Sequence, residues 1–444
     1  MSLAISKSTQ FKINELVLVT KAGRIDISGI YTELNIFDSM FISVMSGNIL
    51  INDSSGLSGK LLFDGSETLL VDISKDYDSD VGNFKKAFRI YKQTNRTNDR
   101  PGNETYKLHF VSDELIYSDQ QRINQAYEKA YSEIAKSILI DYLRVPPNNL
   151  GGSYDTSFGL KKVVVPNLRP LEAIEWCAKR AVDSSNSPNF MFFQNITGYN
   201  FATLSNLLTQ KDILDIKYQT KNLSSGNPIS EMQGARDIEV ITQNDNIERT
   251  RSGVNAGKFI GFDPMTGFIS TKNIGYGDHY SNMKHGNETP NFSSTQSRDG
   301  TDNQSAFNSK KSVGVFGFAR QYSEYIKKND PSSLSKEEDV ENWLFQRKAI
   351  IRNLMSKRLK VVMPGNFQLS SGFNVNVDVP MIGSKDKSNN DEDKSISGKY
   401  IIVATRHIIG YNKHETVIEV ASSSSVNDFV PSGNSDQTTE LLNY

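Results

Sequence analysis

The chain has 444 residues, 37% hydrophobic and 23% charged. That is too long for one ordinary core and predicts two to four domains with a polar surface. Fifty Lys and Arg against 51 Asp and Glu leave a net charge of -1, so no global field recruits nucleic acid or an anionic membrane. The single Cys177 excludes an intrachain disulfide, and no apolar run reaches the roughly 18 residues of a membrane span. Residues 1–12 lack the basic segment and apolar core of a signal peptide, so synthesis in a reducing cytoplasm is expected.

Runs rich in β-branched and aromatic residues at 13–20, 25–34, 43–51, 68–73, 87–93 and 105–112 predict a small antiparallel β domain over 11–112. Residues 92–104, with Asn95, Asn98, Asp99, Pro101 and Gly102, read as the loop of a long hairpin. Over 121–143, Ile123, Tyr127, Ala130, Ile134 and Ile138 recur at three- and four-residue steps, predicting one helix that Pro146 and Pro147 end. Pro170 opens a second helix with Leu171, Ile174, Cys177, Ala178 and Ala181 on one stripe, which makes Cys177 core filler. A strand at 190–195 and a short strand or helix at 200–208 complete an α+β insert. Residues 238–250 and 258–270 look extended, and 273–310 reads as a polar surface loop or partner-ordered arm. Ser335 and Glu338 have the spacing of a capping box for a helix to about 359, with Trp343, Ile350 and Leu354 in one row and Leu344, Ile351 and Met355 beside it. Strands at 360–369, 374–379, 400–409 and 416–422 close the chain, with a charged loop at 384–397 and a loose tail at 432–444.

Two regions resemble each other. Val44-Met45-Ser46-Gly47-Asn48 recurs as Val362-Met363-Pro364-Gly365-Asn366, Val71-Asp72-Ile73 as Val377-Asp378-Val379, and Glu104-Thr105 as Glu415-Thr416. The same order in both copies predicts two related β domains, the second interrupted by 256–355. Residues 11–112 should then superpose on 206–255 plus 356–422, with Val44-Met45 near Val362-Met363. The fold class is α+β: two antiparallel β-barrel domains with α/β inserts. Its divisions are 1–118, an insert at 119–205, a discontinuous barrel from 206–255 and 356–425, an insert at 256–355, and a tail at 426–444.

The search for chemistry is negative. Neither a phosphate-binding Gly-rich loop nor a Gly-x-Ser-x-Gly elbow occurs, and one Cys with five His cannot assemble a zinc site of usual spacing. His279 and His285, six apart, read as a solvated pair, and His407, seven before His414, as a satisfied strand histidine. Asp113 and Glu114, or Glu337, Glu338 and Asp339, are explained by helix first turns rather than catalysis. A distant carboxylate pair of the glycosidase kind is weighed and set below this reading. No catalytic, cofactor-binding or metal residue is assigned.

The run Lys360-Val361-Val362-Met363-Pro364-Gly365-Asn366-Phe367, then Gly372, Val375-Asn376-Val377, Gly398-Lys399-Tyr400-Ile401-Ile402-Val403 and His407, resembles the end of the baseplate central hub proteins of T-even-type phages. Further pieces in the same order are 167–181 with its Arg-Pro-Leu-x-Ala-Ile core, Phe190-Met191-Phe192-Phe193 before Gly198-Tyr199, and Phe262-Asp263-Pro264-Met265. The loops at 273–310 and 384–397 depart from that pattern. The resemblance implies a non-enzymatic virion protein of the tail baseplate, assembled in the host bacterial cytoplasm. It implies a homotrimer whose two tube-like barrels per chain present six faces to a hexameric tail tube, with a trimeric spike on the other side. Tube or tube-initiator proteins, a tape measure protein and the baseplate wedge are the further expected partners, and DNA passes the lumen without specific binding. A second reading is the hub of a tailocin or secretion spike, which a spike or effector domain fused after Ser422 would favour. A third is a tail-tip cell-wall hydrolase.

Overall fold

A computed structural model describes residues 11–60, 63–74, 83–100, 102–185, 187–218, 234–243, 245, 247, 256–262, 269–275, 284–287, 289–290, 314–319, 340–380 and 393–426. The first half contains β1 (Lys12–Thr20), β2 (Gly23–Asp26), β3 (Tyr31–Ser39), β4 (Ser46–Asp53), a single-turn α1 (Leu57–Lys60), β5 (Thr68–Ser74), β6 (Phe84–Arg100) and β7 (Asn103–Val111). Alternate residues point inward, as a half-buried sheet requires. In β5, for example, Leu69, Val71 and Ile73 are buried and their neighbours are not. β2 bonds to β1, and after a turn the same stretch continues as β3 against β4. From β4 the ladders run through β7, β6 and β5 and return to β1. The circuit is closed.

An insert follows: α2 (Asp113–Asp119), β8 (Ala126–Lys129), α3 (Tyr131–Asp141), β9 (Leu150–Tyr154), β10 (Lys161–Val164), α4 (Pro170–Arg180), β11 (Phe190–Asn195), β12 (Gly198–Thr203) and α5 (Leu204–Thr209). Then come β13 (Asp212–Tyr218), β14 (Gly234–Ala235), β15 (Asp237–Gln243), β16 (Ala256–Phe262), β17 (Ile269–Gly275), β18 (Thr289–Pro290), β19 (Gly314–Ala319) and α6 (Val340–Leu354). The chain returns through β20 (Lys357–Pro364), β21 (Asn374–Asp378), β22 (Gly398–Gly410), β23 (His414–Ser422) and β24 (Ser424–Ser425). β14 bonds to β13, and the same stretch continues as β15 against β20. Ladders then run through β23, β22 and β21 back to β13. The second circuit thus repeats the first strand for strand.

One strand differs. β1 is antiparallel to β2 and β5, whereas β13 is parallel to β14 and β21. The two residues Lys21 and Ala22 allow only a hairpin between β1 and β2, while the 219–233 connection has the length a parallel pairing needs.

The register of the repeat follows from one shared feature. Ile90 donates its N–H to the Glu67 carbonyl at 3.0 Å and Ile402 to that of Phe373 at 2.8 Å, each beside a bulge in the long strand. With Ile90 matched to Ile402, Val71 falls on Val377 as the sequence predicts. Glu104-Thr105 falls one residue short of Glu415-Thr416, a slip that would exchange the inner and outer faces. Ile51 falls on Met363, so Val44-Met45 and Val362-Met363 sit at opposite ends of matched strands, and that expected equivalence is wrong. The repeat is one of topology, and most of its shared letters are not.

Other expectations are corrected. The 25–34 stretch breaks at a turn over residues 27–30. The 92–104 stretch is no loop, because β6 and β7 stay paired to Arg100 and Asn103, with Asn95 taking the left-handed conformation (φ 54°) inside a bulge. Within 121–143 only α3 is helical, because residues 126–129 pair with β10 instead. The last helix ends at Leu354, and Leu359 is buried in β20, which itself stops at Pro364 rather than 369. Ser335, Glu338, most of 273–310, residues 384–392 and the tail from 427 lie outside the described residues, as does the Trp343 side chain.

Four apolar cores result. One fills each circuit, the first joined by Phe367 and Ile409 from the second half. A third holds the insert through Ile134, Ile138, Leu171, Ile174 and Cys177 against Phe190, Phe192 and Phe201. The fourth lies where β11, β12, α5, α6 and β22 meet.

Candidate assembly interface

The two circuits are fused by a strand that serves both. β22 is 13 residues long, four of which bond to β21; after its bulge the rest turns outward and bonds to β3 from Ala404 opposite Ser39 to Gly410 opposite Glu33. Arg406 donates to Asn35 Oδ1 at 2.9 Å and lies 3.8 Å from Glu33, while the Tyr31 hydroxyl donates to the Gly410 carbonyl at 3.1 Å.

The turn after β20 locks this seam from behind. Ser370 Oγ and the Ser371 N–H donate to the buried Asp38 carboxylate at 2.5 and 2.9 Å. Burial raises that carboxyl's pKa to about 6, in spite of these bonds, which favour the charged form. The Ser371 carbonyl accepts from Asn195 Nδ2 at 2.9 Å, and Gly372, at φ 88°, lets the Phe193 ring pack where a Cβ would lie 2.5 Å away. The Phe367 ring packs, tilted, with its centroid 5.0 Å from that of His407 and 4.5 Å from that of His414, whose facing nitrogens are 3.4 Å apart.

β11 ties the insert to both circuits. Gln194 Oε1 accepts from the Met45 N–H at 2.8 Å and Ser112 Oγ at 2.7 Å, and Arg347 from α6 donates to the Phe190 carbonyl at 2.6 Å. Desolvation lowers the Arg347 pKa to about 10. Three bodies are therefore held by polar bonds that are themselves buried, and breaking any of them would strand an unsatisfied group.

A groove of about 450 Å³ crosses the outer face of the seam, from Ile241 past Lys360 and Glu419 to Phe37 and Ile42. Phe41, Ile42, Val240 and Ile241 are each 40–52% exposed nearby, an apolar surface that suits docking more than catalysis.

Residues weighed for chemistry are accounted for. Asp113 pairs with Arg89 at 2.8 Å in the first turn of α2, and Cys177 is buried with its thiol pushed up to about 12. His285 is half-buried and bonded to Ser423 at 3.3 Å, not solvated as expected; His279, Glu337, Glu338 and Asp339 lie outside the described residues. His407 bonds Thr416 at 3.1 Å, and the hairpin brings it to His414. A polar pocket of about 580 Å³ holds Asp155 and Asp183, whose oxygens accept from Thr203 and Asn206 and from Ser185 and Ser187. Among the described residues no group of three or more His, Cys, Asp or Glu is placed to hold a metal, and no helix is long and apolar enough to cross a membrane. Sequence reasoning missed Asp38, Gln194 and Asn195. The last two follow the all-buried run 190–193, where polar residues at the end of a doubly covered strand were the available signal.

No family model matches the chain. It is 23% identical over 420 residues to the probable baseplate hub protein gp334 of Vibrio phage KVP40, covering 89% of this chain and 90% of that one. The 43 kDa tail protein of prophage MuSo2 from Shewanella oneidensis superposes with a TM-score of 0.51 at 10% identity, over 92% of this chain and 98% of that one. A tail protein from Neisseria meningitidis MC58 gives 0.50 at 10% identity, over 92% and 96%. The two structures show a shared fold. The resemblance to phage baseplate hub proteins, carried in the sequence by scattered pieces, extends along nearly the whole chain.

Proposed function

We propose that this chain is a structural virion protein of the phage tail baseplate, the central hub that joins tail tube to spike. Its two circuits act as tube-like barrels, within the divisions 1–118 and 206–255 plus 356–425, and three chains form a ring with six similar faces. The observation that carries this is the repeated circuit. A threefold body matches a sixfold one only by doubling its unit, and this chain carries the unit twice, fixed in one relative orientation by β22 and the Asp38 seam. The similarity to a baseplate hub protein over most of both chains supports the same reading. A trimeric spike and tube or tube-initiator proteins are the principal partners, with tape measure protein and wedge as neighbours and DNA passing unbound. The work is binding and geometry rather than catalysis. Antibody raised against the purified chain tests the placement by electron microscopy of phage particles that carry it. Labelling at the distal tail end is expected, and labelling of the capsid or along the whole tail contradicts the proposal.

A further inference from the structure

Within one chain the circuits meet edge to edge through β3 of the first and the outer half of β22 of the second. The repeat supplies a second copy of each edge. β15 is the counterpart of β3, since each is the outer partner of the matched strands β20 and β4. The outer half of β6, past its bulge at Ile90/Lys92, is the counterpart of the outer half of β22. Among the described residues β15 bonds only to β20, and β6 beyond Ile90 bonds only to β7, so both copied edges are open.

We propose that β15 of one protomer pairs antiparallel with the outer half of β6 of the next, repeating between chains the junction that β3 and β22 make within one. The occupant of each edge is a second copy of this chain. This rests on the ring reading above and deepens it. At the inner junction Arg406 of β22 reaches Asn35 and Glu33 of β3. Their counterparts on β15 are Glu239, which Lys360 pairs at 2.9 Å, and the exposed Asp237, while Thr94 takes the place of Arg406 on β6, so the edges are repeated and the ion pair is not. Val240 and Ile241, 40% and 41% exposed, lie on the β15 edge, and an open apolar edge is a liability that pairing removes. Because the contact joins unlike edges, it runs head to tail and closes as a ring when the rotation allows.

Transferring the inner register places Thr94 opposite Thr242, as Arg406 stands opposite Phe37. The double variant T94C/T242C, oxidised and run without reductant, tests this, with each single variant as control; the native Cys177 is buried. Disulfide-linked dimers and trimers from the double variant alone, with the trimer largest, are expected. Light scattering on the same samples separates this edge pairing from the ring itself. An oligomer of unchanged mass without cross-links overturns this edge pairing and leaves the ring, whereas a monomer overturns both.

Discussion

At the scale of single residues, the seam depends on positions where nothing larger fits. A Cβ on Gly47 would lie 2.3 Å from the Asn35 carbonyl oxygen and 2.3 Å from the Phe110 ring. Gly47→Ala is expected to cost at least about 1–3 kcal/mol by overpacking. Gly152→Ala, with nothing within 4 Å, should leave the thermal midpoint nearly unchanged. Equal midpoints for the two variants would refute the packing described here. Asp38 gives a pH signature. Its folded pKa, about 6, lies above the ordinary 3.8, so the native state binds this proton more tightly than the unfolded chain. Its contribution is therefore fully present below about pH 4 and is lost as pH rises through about 6, with a swing on the order of 3 kcal/mol. Urea midpoints of Asp38→Asn should lack the fall between pH 4 and 6 that the parent shows, and identical slopes would remove Asp38 from the seam. Neither residue was legible as special in the sequence. Gly47 belongs to a sequence repeat that proves out of register, and Asp38 reads as the polar end of a strand until Ser370, 332 residues away, is brought to it.

At the scale of elements, periodicity served where packing follows the local pattern and failed where a partner intervened. The stripe of Leu171, Ile174, Cys177 and Ala178 was legible and is buried in the insert core. Ile174→Asp should cost more than about 3 kcal/mol and unfold the insert, as lost protease resistance there would report; an unchanged melting curve would place Ile174 at the surface. The false helix over 121–130 had the right spacing, yet Tyr127 packs from a strand whose backbone is claimed by β10. The β6–β7 arm was hidden by its Asn, Asp, Pro and Gly content, which marks loops but here sits in bulges and a tight turn. Had 92–104 been a loop, shortening 93–103 to Asn-Gly would cost little. The ladder instead makes Gln93 to Asn98 the cover of β7, so that change should lower the urea midpoint, while replacing only 99–103 by Asn-Gly should not. The reverse order of effects would restore the loop.

At the scale of the molecule, duplication was legible only as an outline. One motif, Val71-Asp72, matches in register; the others match by letter and misplace the strands, because a half-buried sheet needs alternation and tolerates almost any apolar identity. What no single sequence displays is that β22 belongs to both circuits, since its second half looks like any alternating strand until β3 is laid beside it. That shared strand joins two units of like topology within one chain, which is the basis for reading it as a symmetry adaptor. The most direct test is electron microscopy of the purified protein, alone and with the spike protein proposed as its partner, averaged in end-on view. A ring of six similar lobes around an open centre, with threefold symmetry, is expected. Isolated two-lobed particles in both samples, or rings with any other number of lobes, would contradict it.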